Sequence, residues 1–510
     1  MDLLISALIP AVGSRFVAPR LDFPVSTLEA VLAFLGIYAL LKNDTFLLGQ
    51  AINLFKSIPP QEYIGWMRQW PDEPLIRFLD VGNREVIVVN SVKATKDVLQ
   101  THCYSFVKPD FLHRVLGEIT GTGLLFAEGE HHKAQRRLLA GPFSYGTIKN
   151  LLPFFETKAQ ELRKAIRTVA DKTPGAPIEI STLLTQTTLD AIGLAALGLK
   201  FNNLDSPTEF AVAFEDVFKM ERSLMSTLMS VLNIYMPIRK ILPIKVNREY
   251  LAANAKIREH VRQRIRSRKL ELEDEKARAS ATDLLAVLLK ERVSGVNPWT
   301  EDEMVNHILN FMAAGHETTA GALTLTLFLL ADHLEVQTRL REEINKAIPT
   351  PNDLTYNSVN SINYLSNVVK EVLRLYPPAI LSHREAAKDV MVDGVRLPKG
   401  TLVHVVPAMI HYNTHIFGPD ADKFIPDRWD NLPKEASDPF AAGSFLNGPR
   451  ICIGKAFALL EYKVYLIELL KAFEFVPSEK RMQFQRGGPS LRPQGGLWLT
   501  PKPLDGSVKA

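Results

Sequence analysis

The chain is poor in cysteine and nearly neutral in net charge, and both properties exclude classes of protein. Only two cysteines, Cys103 and Cys452, occur in 510 residues, whereas secreted disulfide scaffolds carry many more. The 60 basic residues exceed the 56 acidic ones by only 4, so bulk charge gives no argument for nucleic-acid binding. Internal repeats and low-complexity segments are also lacking. We therefore expect a reduced, cytosol-facing globular domain that does not bind nucleic acid.

Long hydrophobic runs are scarce too, and the one that stands out lies near the N-terminus. Residues 30–41 are apolar, and an extension to residues 23–42 gives about the ~20 residues that a membrane-spanning helix needs. We therefore predict residues 1–59 as an N-terminal anchor and linker. A surface amphipathic helix or a disordered tail stays an alternative. Basic residues lie on both sides of the run, so the positive-inside rule does not set its orientation.

Helical patterns outnumber strand patterns by several to one, which predicts a mainly α fold with small β-sheets. Residues 75–79 and 85–89, separated by Gly-Asn, are typical of two adjacent strands. Residues 105–127 show little periodicity, which predicts a long loop. From residue 148 onward helical spacing dominates. The longest helical pattern, residues 301–332, is apolar almost throughout, so this helix is expected to cross the core.

The most informative segment is residues 445–454, where one cysteine lies among glycines, an arginine and an aromatic residue. A thiolate is an electron-rich iron ligand, and glycines let a loop turn tightly enough for backbone N–H groups to point at the Cys452 sulphur. Arg450 is placed to bind a porphyrin carboxylate through two hydrogen bonds. Phe445 can shield the sulphur from water. The alternative is a buried structural cysteine in an ordinary strand-to-helix turn.

The order F-x-x-G-x-R-x-C-x-G in this segment resembles the haem-binding loop of the cytochrome P-450 monooxygenases, and every fixed position is present. The resemblance implies a cytochrome P-450 fold with one large catalytic domain, predicted here as residues 60–505. It also implies haem b as cofactor, with Cys452 as the axial thiolate and metal ligand. Resemblance to the microsomal members implies the endoplasmic reticulum membrane, a single N-terminal anchor at about residues 23–42, and a cytosolic catalytic domain.

The middle of the predicted helix 301–332 breaks three local rules at one place. Gly315 costs about 1 kcal/mol in a helix interior relative to alanine, and Glu317 and Thr318 are expensive to bury unpaired. Such breaks tend to mark function. The Thr318 hydroxyl can bond to a carbonyl one turn back, and small residues such as Gly315 let a flat ring approach. The run A-G-x-E-T-T resembles the oxygen-activating segment of the same family, which implies that Thr318 and Glu317 deliver protons.

Glu371 and Arg374 lie three residues apart, on one face of a helical pattern, among apolar neighbours. An unpaired charge in such surroundings is costly, so a third partner is expected. Residues 424–429 resemble the family segment that supplies this partner, which implies that Arg428 completes a Glu–Arg–Arg cluster. The expected role of the cluster is structural: it locks the loop that presents Cys452.

Three further basic residues are expected to hold the carboxylates of the porphyrin. Residues 129–137 resemble a family helix in which a tryptophan and an arginine, four residues apart, bind a propionate. Here His132 occupies the tryptophan position and Arg136 the arginine position. The histidine keeps one ring N–H donor. Arg384 matches another position that family members use for a propionate. A plain surface arginine is the alternative for Arg136.

These patterns predict a haem-thiolate monooxygenase that inserts one oxygen atom from O2 into a lipophilic small molecule. The resemblance implies an NADPH-cytochrome reductase as electron donor. The sequence of residues 129–137 is most similar to that of fungal members, many of which modify secondary metabolites. The expected pocket is apolar, lined by Phe311, Ala314, the predicted loop 105–127 and residues 379–381. Two alternatives stay open: an oxygen-independent haem-thiolate isomerase or dehydratase, against which Thr318 argues, and a non-catalytic haem-binding sensor.

Overall fold

The computed structural model describes residues 49–220, 224–294, 299–486 and 490–504. The predicted span at residues 23–42 lies outside these ranges. Within them, the helix Ile180–Leu197 is long and apolar enough to cross a membrane, but 61% of it is buried inside the protein. The pair Glu301–Asp332 and Leu334–Ala347, bent by 112°, passes the same test only if it is taken as one span.

Helices make up most of the described chain, as the sequence predicts. Those of the first half are α1 Ala51–Lys56, α2 Gln61–Gln69, α3 Val92–Lys96, α4 Asp110–Thr120, α5 Gly129–Leu139, α6 Tyr145–Asn150, α7 Leu152–Lys172, α8 Ile180–Leu197, α9 Glu209–Met220, α10 Leu224–Tyr235 and α11 Ile238–Ile241. They are followed by α12 Lys245–Glu271, α13 Glu275–Ser280, α14 Leu284–Ser294, α15 Glu301–Asp332, α16 Leu334–Ala347, α17 Tyr356–Ser361, α18 Asn363–Leu375, α19 Pro407–His411, α20 Thr414–Phe417 and α21 Lys455–Ala472.

Short strands form four small sheets in the described ranges. The strands are β1 Leu75–Asp80, β2 Arg84–Val89, β3 Phe106–Val107, β4 Ile178–Glu179, β5 Ser382–Ala386, β6 Val390–Val392, β7 Val395–Leu397, β8 Leu402–Val405, β9 Phe473–Pro477, β10 Gln483–Phe484, β11 Pro493–Gln494 and β12 Trp498–Pro503. The largest sheet has the order β1-β2-β8-β5-β3, and a three-stranded sheet has the order β4-β12-β9. The predicted pair of adjacent strands is confirmed, because β1 and β2 are antiparallel with Leu75 opposite Val89.

The prediction of a loop over residues 105–127 is wrong in its middle, where α4 forms. The helix begins with Asp110, whose charge suits the helix N-terminus, and it ends at Gly121, whose φ is 66°. A helix of 11 residues is marginal on its own and depends on tertiary contacts that local sequence does not show. Here the contact is Asn310 of α15, whose amide nitrogen donates to the Thr120 carbonyl at 2.9 Å and whose amide oxygen accepts from the Leu125 N–H at 2.8 Å.

Helix α15 crosses the core, as predicted, and begins with a capping box between Thr300 and Glu303. It packs closely against α8. A Cβ added to Gly315 would lie 2.7 Å from Cγ1 of Ile192 on α8, so a glycine is needed here for the two helices to approach. The main core cluster gathers around α15 with side chains of α7, α8 and α21.

Candidate active site

Cys452 lies in the turn that precedes α21, and its side chain is exposed. Burial nevertheless raises the pKa of this thiol, while the Gly454 backbone N–H, which donates to the sulphur, and the charges of Arg136 and Lys455 act in the opposite direction. The sulphur thus combines accessible surface with dense surrounding protein, as expected for an atom in a recess of the fold.

The cysteine loop is held by its own backbone and by one glycine that cannot be replaced without strain. The N–H of Cys452 donates to the carbonyl of Phe445 at 2.9 Å, and Phe445 itself is half-buried. Gly448 has a φ of 74°, and a Cβ added there would lie 2.2 Å from the carbonyl oxygen of Leu99. The loop therefore depends on a left-handed glycine in close contact with a neighbouring backbone.

Two residues of α15 also keep accessible surface, although the helix crosses the core. Ala314 and Thr318 are exposed, whereas every other residue of the helix from Met304 to Ala331 is buried or half-buried. Residues four apart share one face of a helix, so this face borders an open space within the core. The Thr318 hydroxyl donates to the Ala314 carbonyl at 2.6 Å, which weakens the local helical bonding and keeps the hydroxyl at that face.

Glu317 is paired with a residue that the sequence did not point to. Its carboxylate accepts a hydrogen bond from the guanidinium of Arg492, which lies 175 positions later. The Nε of Arg492 donates to Ser490 at 2.9 Å, and Ser490 forms an isolated β-bridge with Ala379. No local pattern relates positions so far apart, and only the folded chain shows the pair.

Two of the predicted arginines are buried, and among the described residues only one of them has an ion-pair partner. Arg450 donates to the Ala127 carbonyl at 2.8 Å and forms an ion pair with Glu128, but its Nε is buried without a partner among the described residues. Arg384 is 3% exposed, and among the described residues its guanidinium donates to Ser382 Oγ and to the His383 carbonyl. Burial, with the nearby charge of Arg450, lowers the pKa of Arg384 to about 10.

His132 and Arg136 project from α5 toward the same cluster. Nδ1 of the buried His132 lies 3.2 Å from the Tyr104 hydroxyl. Burial and the charge of Arg450 lower the pKa of His132 to about 4, so the ring is neutral. Arg136 is half-buried, and burial lowers its pKa. The sequence missed Tyr104, because nothing in its local pattern relates it to α5.

Lys108 is a further basic residue that the sequence did not identify. Burial lowers the pKa of its amine to about 7, and the charges of Arg384 and Arg450 add to this effect. Its backbone N–H donates to Glu128 at 3.0 Å, the carboxylate that also pairs with Arg450. Lys108 lies in the segment 105–127, which shows little hydrophobic periodicity, and it belongs to no recognisable motif.

The basic cluster defined by Lys108, His132, Arg136, Arg384 and Arg450 contains one carboxylate, that of Glu128. Its arginines and Lys108 carry more positive charge than the Glu128 carboxylate offsets, which is costly in the interior unless an anionic ligand is bound, and guanidinium groups match carboxylates in geometry. Among the described residues no group of three or more His, Cys, Asp or Glu side chains could hold a metal ion. A metal bound at Cys452 would therefore have to bring its other ligands with it. Haem, with four ring nitrogens and two propionates, fits both requirements.

Glu371, Arg374 and Arg428 form one buried cluster. Two nitrogens of Arg374 donate to the Glu371 carboxylate at 2.8 Å each, and Nε of Arg428 donates to it at 2.8 Å. Glu371 is 0% exposed, and Trp429 Nε1 donates to its carboxylate at 3.0 Å. The cluster joins α18 to the segment before the cysteine loop. Ser444 at the start of that loop donates to a carbonyl of α18 at 2.8 Å.

Comparison with known proteins gives one consistent result. A family model described as cytochrome P-450 matches residues 45–504. The chain is 32% identical over 482 residues to cytochrome P-450 monooxygenase sphH of Aspergillus fumigatus. The aligned region covers 91% of this chain and 87% of that protein. It is 31% identical to cytochrome P-450 monooxygenase FUM15 of Gibberella moniliformis, over 88% of this chain and 84% of the relative. Cytochrome P-450 3A29 of Sus scrofa is 30% identical, over 84% of each chain.

Proposed function

Since this chain belongs to the cytochrome P-450 family, we propose that it inserts one oxygen atom from O2 into a lipophilic small molecule. Membership of the family makes it a monooxygenase with haem as cofactor and a cysteine thiolate as axial ligand. The electrons come from an NADPH-cytochrome reductase. The observation that carries the proposal is that Cys452, accessible and yet enclosed by protein, lies close enough to Arg136 of the basic cluster for that charge to act on the pKa of its thiol.

Cys452 is the proposed thiolate ligand, and the basic cluster holds the propionates. Arg450, Arg384, Arg136 and His132 were expected from the sequence, and Lys108 joins them because its amine is buried with the same excess of positive charge. Haem ligated by a thiolate supplies the activation of dioxygen that C–H oxidation requires. The Gly454 N–H stabilises the negative sulphur, and Phe445 covers the loop.

In this proposal the Tyr104 hydroxyl donates to Nδ1 of His132 and so determines which ring nitrogen carries the proton. A phenol that donates to Nδ1 of a neutral imidazole leaves the ring proton on Nε2. His132 can then offer an N–H to a propionate, as the tryptophan does at this position of the family helix that residues 129–137 resemble.

Thr318 and Glu317 are the proposed proton-delivering residues. Thr318 holds its hydroxyl on the one exposed face of α15, where it can bond to oxygen or water. Glu317 is the residue immediately before Thr318, and its ion pair with Arg492 keeps the carboxylate in one place. In this scheme Glu317 supplies protons through water to the Thr318 hydroxyl, which would pass them into the pocket. The ion pair sets the position of the acid.

Glu371, Arg374 and Arg428 have a supporting role in the proposal. Their cluster is almost completely buried and fixes the segment that leads into the cysteine loop. Removing one member of such a cluster leaves uncompensated charge in the interior. The cluster therefore acts on catalysis only through the position of Cys452.

The substrate is proposed to be a lipophilic secondary metabolite, since the exposed face of α15 and residues 379–381 present mainly apolar side chains. The catalytic domain is proposed to span residues 60–505, behind an anchor in residues 1–59 that holds it at the cytosolic side of the endoplasmic reticulum membrane. The apolar run at residues 23–42 supports this anchor.

The test is oxygen uptake by the full-length protein with an NADPH-cytochrome reductase. We expect NADPH-dependent uptake, together with a product that contains one labelled oxygen when isotopically labelled O2 is supplied. Removal of either NADPH or the reductase should stop it. Turnover of a substrate without O2 would instead indicate an isomerase or dehydratase. Haem binding with neither reaction across a broad lipophilic panel would indicate a sensor.

A further inference from the structure

A cleft of about 340 Å³ opens between the end of α8 and α13. Its walls come from the end of α8, the end of α12 and the segment between Ala277 of α13 and Leu284 of α14. Its lining includes neither Cys452 nor Thr318, nor any member of the basic cluster. The volume lies near the lower end of the range of about 300–1,000 Å³ that small-molecule sites occupy. The cleft therefore has the size of a ligand site and a lining that differs from the candidate active site.

The floor of the cleft is aromatic. The ring of Phe311 on α15 stacks on the ring of Phe143, with centroids 4.9 Å apart and planes at 26°. Phe457 of α21 meets Phe143 edge-on, with centroids 6.5 Å apart. All three rings line the cleft, including that of Phe311, which the sequence placed in the expected substrate pocket. Such a floor offers the stacked and edge-on contacts that a flat aromatic molecule prefers.

The same floor borders the cysteine loop. A Cβ added to Gly454 would lie 3.9 Å from Cε1 of Phe143 and 4.0 Å from Sγ of Cys452. A molecule that lies on this floor is therefore separated by a single aromatic ring from the loop that presents Cys452.

Arg268 of α12 lines the cleft with a donor that the protein does not use. Its guanidinium forms ion pairs with Asp283 and, at 2.7 Å, with Glu271. Its Nε is buried and has no acceptor among the described residues, and leaving a buried donor unpaired is costly. Two carboxylates already match the charge of Arg268. The missing partner is therefore a neutral oxygen and not a third anion.

Asp283 holds the arginine in this position. Its Oδ1 accepts from the Ala286 N–H at 3.0 Å, at the start of α14. Gly198, where α8 ends, has a φ of 63°, and a Cβ added there would lie 3.2 Å from Cγ of Asp283. The carboxylate that pairs with Arg268 is thus enclosed by α8 and α14. A donor fixed in this way loses little freedom when it binds a ligand.

We propose that this cleft binds a neutral aromatic molecule with one acceptor oxygen. The rings of Phe143, Phe311 and Phe457 hold its flat part, and the Nε–H of Arg268 donates to its oxygen. The volume limits the ligand to a small one, such as a bicyclic ketone. A molecule of the same shape without the oxygen leaves the Nε–H unpaired, so the site discriminates by that oxygen. This second site goes beyond the proposed function.

The test is equilibrium dialysis of the full-length, haem-loaded protein against two probes. They are 2-acetylnaphthalene and 2-ethylnaphthalene, which have the same shape and differ in the carbonyl oxygen. For the natural sequence, the ketone should bind to the cleft about tenfold more tightly than the hydrocarbon, the effect of one good hydrogen bond. Probe that binds elsewhere, including the candidate active site, is common to all variants and cancels in their comparison.

Tryptophan substitutions on α13 block the cleft. Ala277 and Ser280 lie three residues apart, on one face of the helix, and both line the cleft. Ala277→Trp and Ser280→Trp should each remove one bound ketone per protein molecule. Ala279→Trp makes the same change at an exposed position outside the lining and should bind the ketone as the natural sequence does. Haem content checks that each variant is folded.

Arg268→Lys keeps the charge for Asp283 and Glu271 but places a methylene group where Nε stands. It should lower the affinity for the ketone to that for the hydrocarbon, which itself should not change. This variant tests the inference even if a tryptophan variant fails to fold. Ketone binding that is equal in the natural sequence, Ala277→Trp and Ser280→Trp, or that Ala279→Trp reduces as much, would overturn the inference. An unchanged ketone advantage in Arg268→Lys would overturn it too.

Discussion

The guanidinium of Arg492 is paired with the carboxylate of Glu317, next to the threonine on the exposed face of α15. The pair joins the middle of the longest helix to the segment that leads into β11. Glu317 is 17% exposed and Arg492 28%, so both charges are partly withdrawn from solvent and their attraction is weakly screened. The acid proposed for proton delivery is therefore held by a second element of the fold.

Arg492→Gln should lower the share of NADPH that ends in product. Without the ion pair the Glu317 carboxylate is less well placed, and we expect a several-fold loss, below the ~100-fold or more that removal of an acid–base group costs. Haem content should not change, because Arg492 contacts no member of the basic cluster in the described structure. Product and peroxide per NADPH are the measurement. Lys502→Gln, in an exposed pair with Glu474, is the control, and equal coupling in both variants would contradict the role of the pair.

Thr318→Ala should leave haem bound and divert electrons into hydrogen peroxide. The hydroxyl is the group that the exposed face of α15 offers to oxygen, and its loss should reduce oxygen insertion by about 100-fold. Thr318→Ser keeps a hydroxyl and should retain most of the coupling. NADPH consumption, peroxide and product are measured together. Unchanged coupling in Thr318→Ala would assign proton delivery to another group.

Haem incorporation should weaken as the pH rises above about 7, because of Lys108. Below its pKa of about 7 the amine is already charged when the propionates arrive. Above that pH it is neutral in the ligand-free protein, so binding must draw a proton onto it, at a cost of up to about tenfold in affinity per pH unit. Haem titrations of the ligand-free protein between about pH 7 and 9 measure this slope.

Lys108→Met should make this titration flatter, and Lys133→Met is its control. Lys133 is an exposed lysine paired with Glu130 on the same side of α5, and its replacement should keep the slope of the natural sequence. An identical slope in Lys108→Met would show that another group takes up the proton.

Glu371→Gln should strongly destabilise the fold. The change removes the carboxylate that compensates Arg374 and one of the two that pair with Arg428, whose side chains are 1% and 8% exposed, and leaving buried charge unpaired costs about 3–5 kcal/mol. That is a large part of the ~5–15 kcal/mol by which a domain is stable. Urea unfolding and haem yield are the measurements. Glu85→Gln, in an exposed pair with Arg77, should cost less than about 1 kcal/mol. Equal stability of the two variants would contradict the supporting role.

The sequence predicted the parts of the fold whose signals are local. The pattern of residues 301–332 agrees with α15 because a buried helix is apolar all round, and the Gly-Asn turn placed β1 and β2 as neighbours. Helix α4 could not be predicted, because its stability comes from Asn310, almost two hundred positions later.

The same distinction applies to the candidate site. Glu371 and Arg374 lie three apart, so helical geometry alone places them together, whereas their contact with Arg428 was expected only from the family resemblance. Lys108, Tyr104 and Arg492 carry no motif. Their significance comes from burial beside other charges, which depends on how distant segments meet.

The most direct test of the proposed iron ligand is the carbon monoxide spectrum of the reduced protein, produced with haem freely supplied. The natural sequence and Cys103→Ala, which alters the other, buried cysteine, should both give the spectrum of thiolate-ligated haem. Cys452→Ala should not give this spectrum, because the proposed thiolate ligand of the iron has been removed. A colourless natural protein, or a normal thiolate spectrum from Cys452→Ala, would contradict the assignment of Cys452 as the ligand.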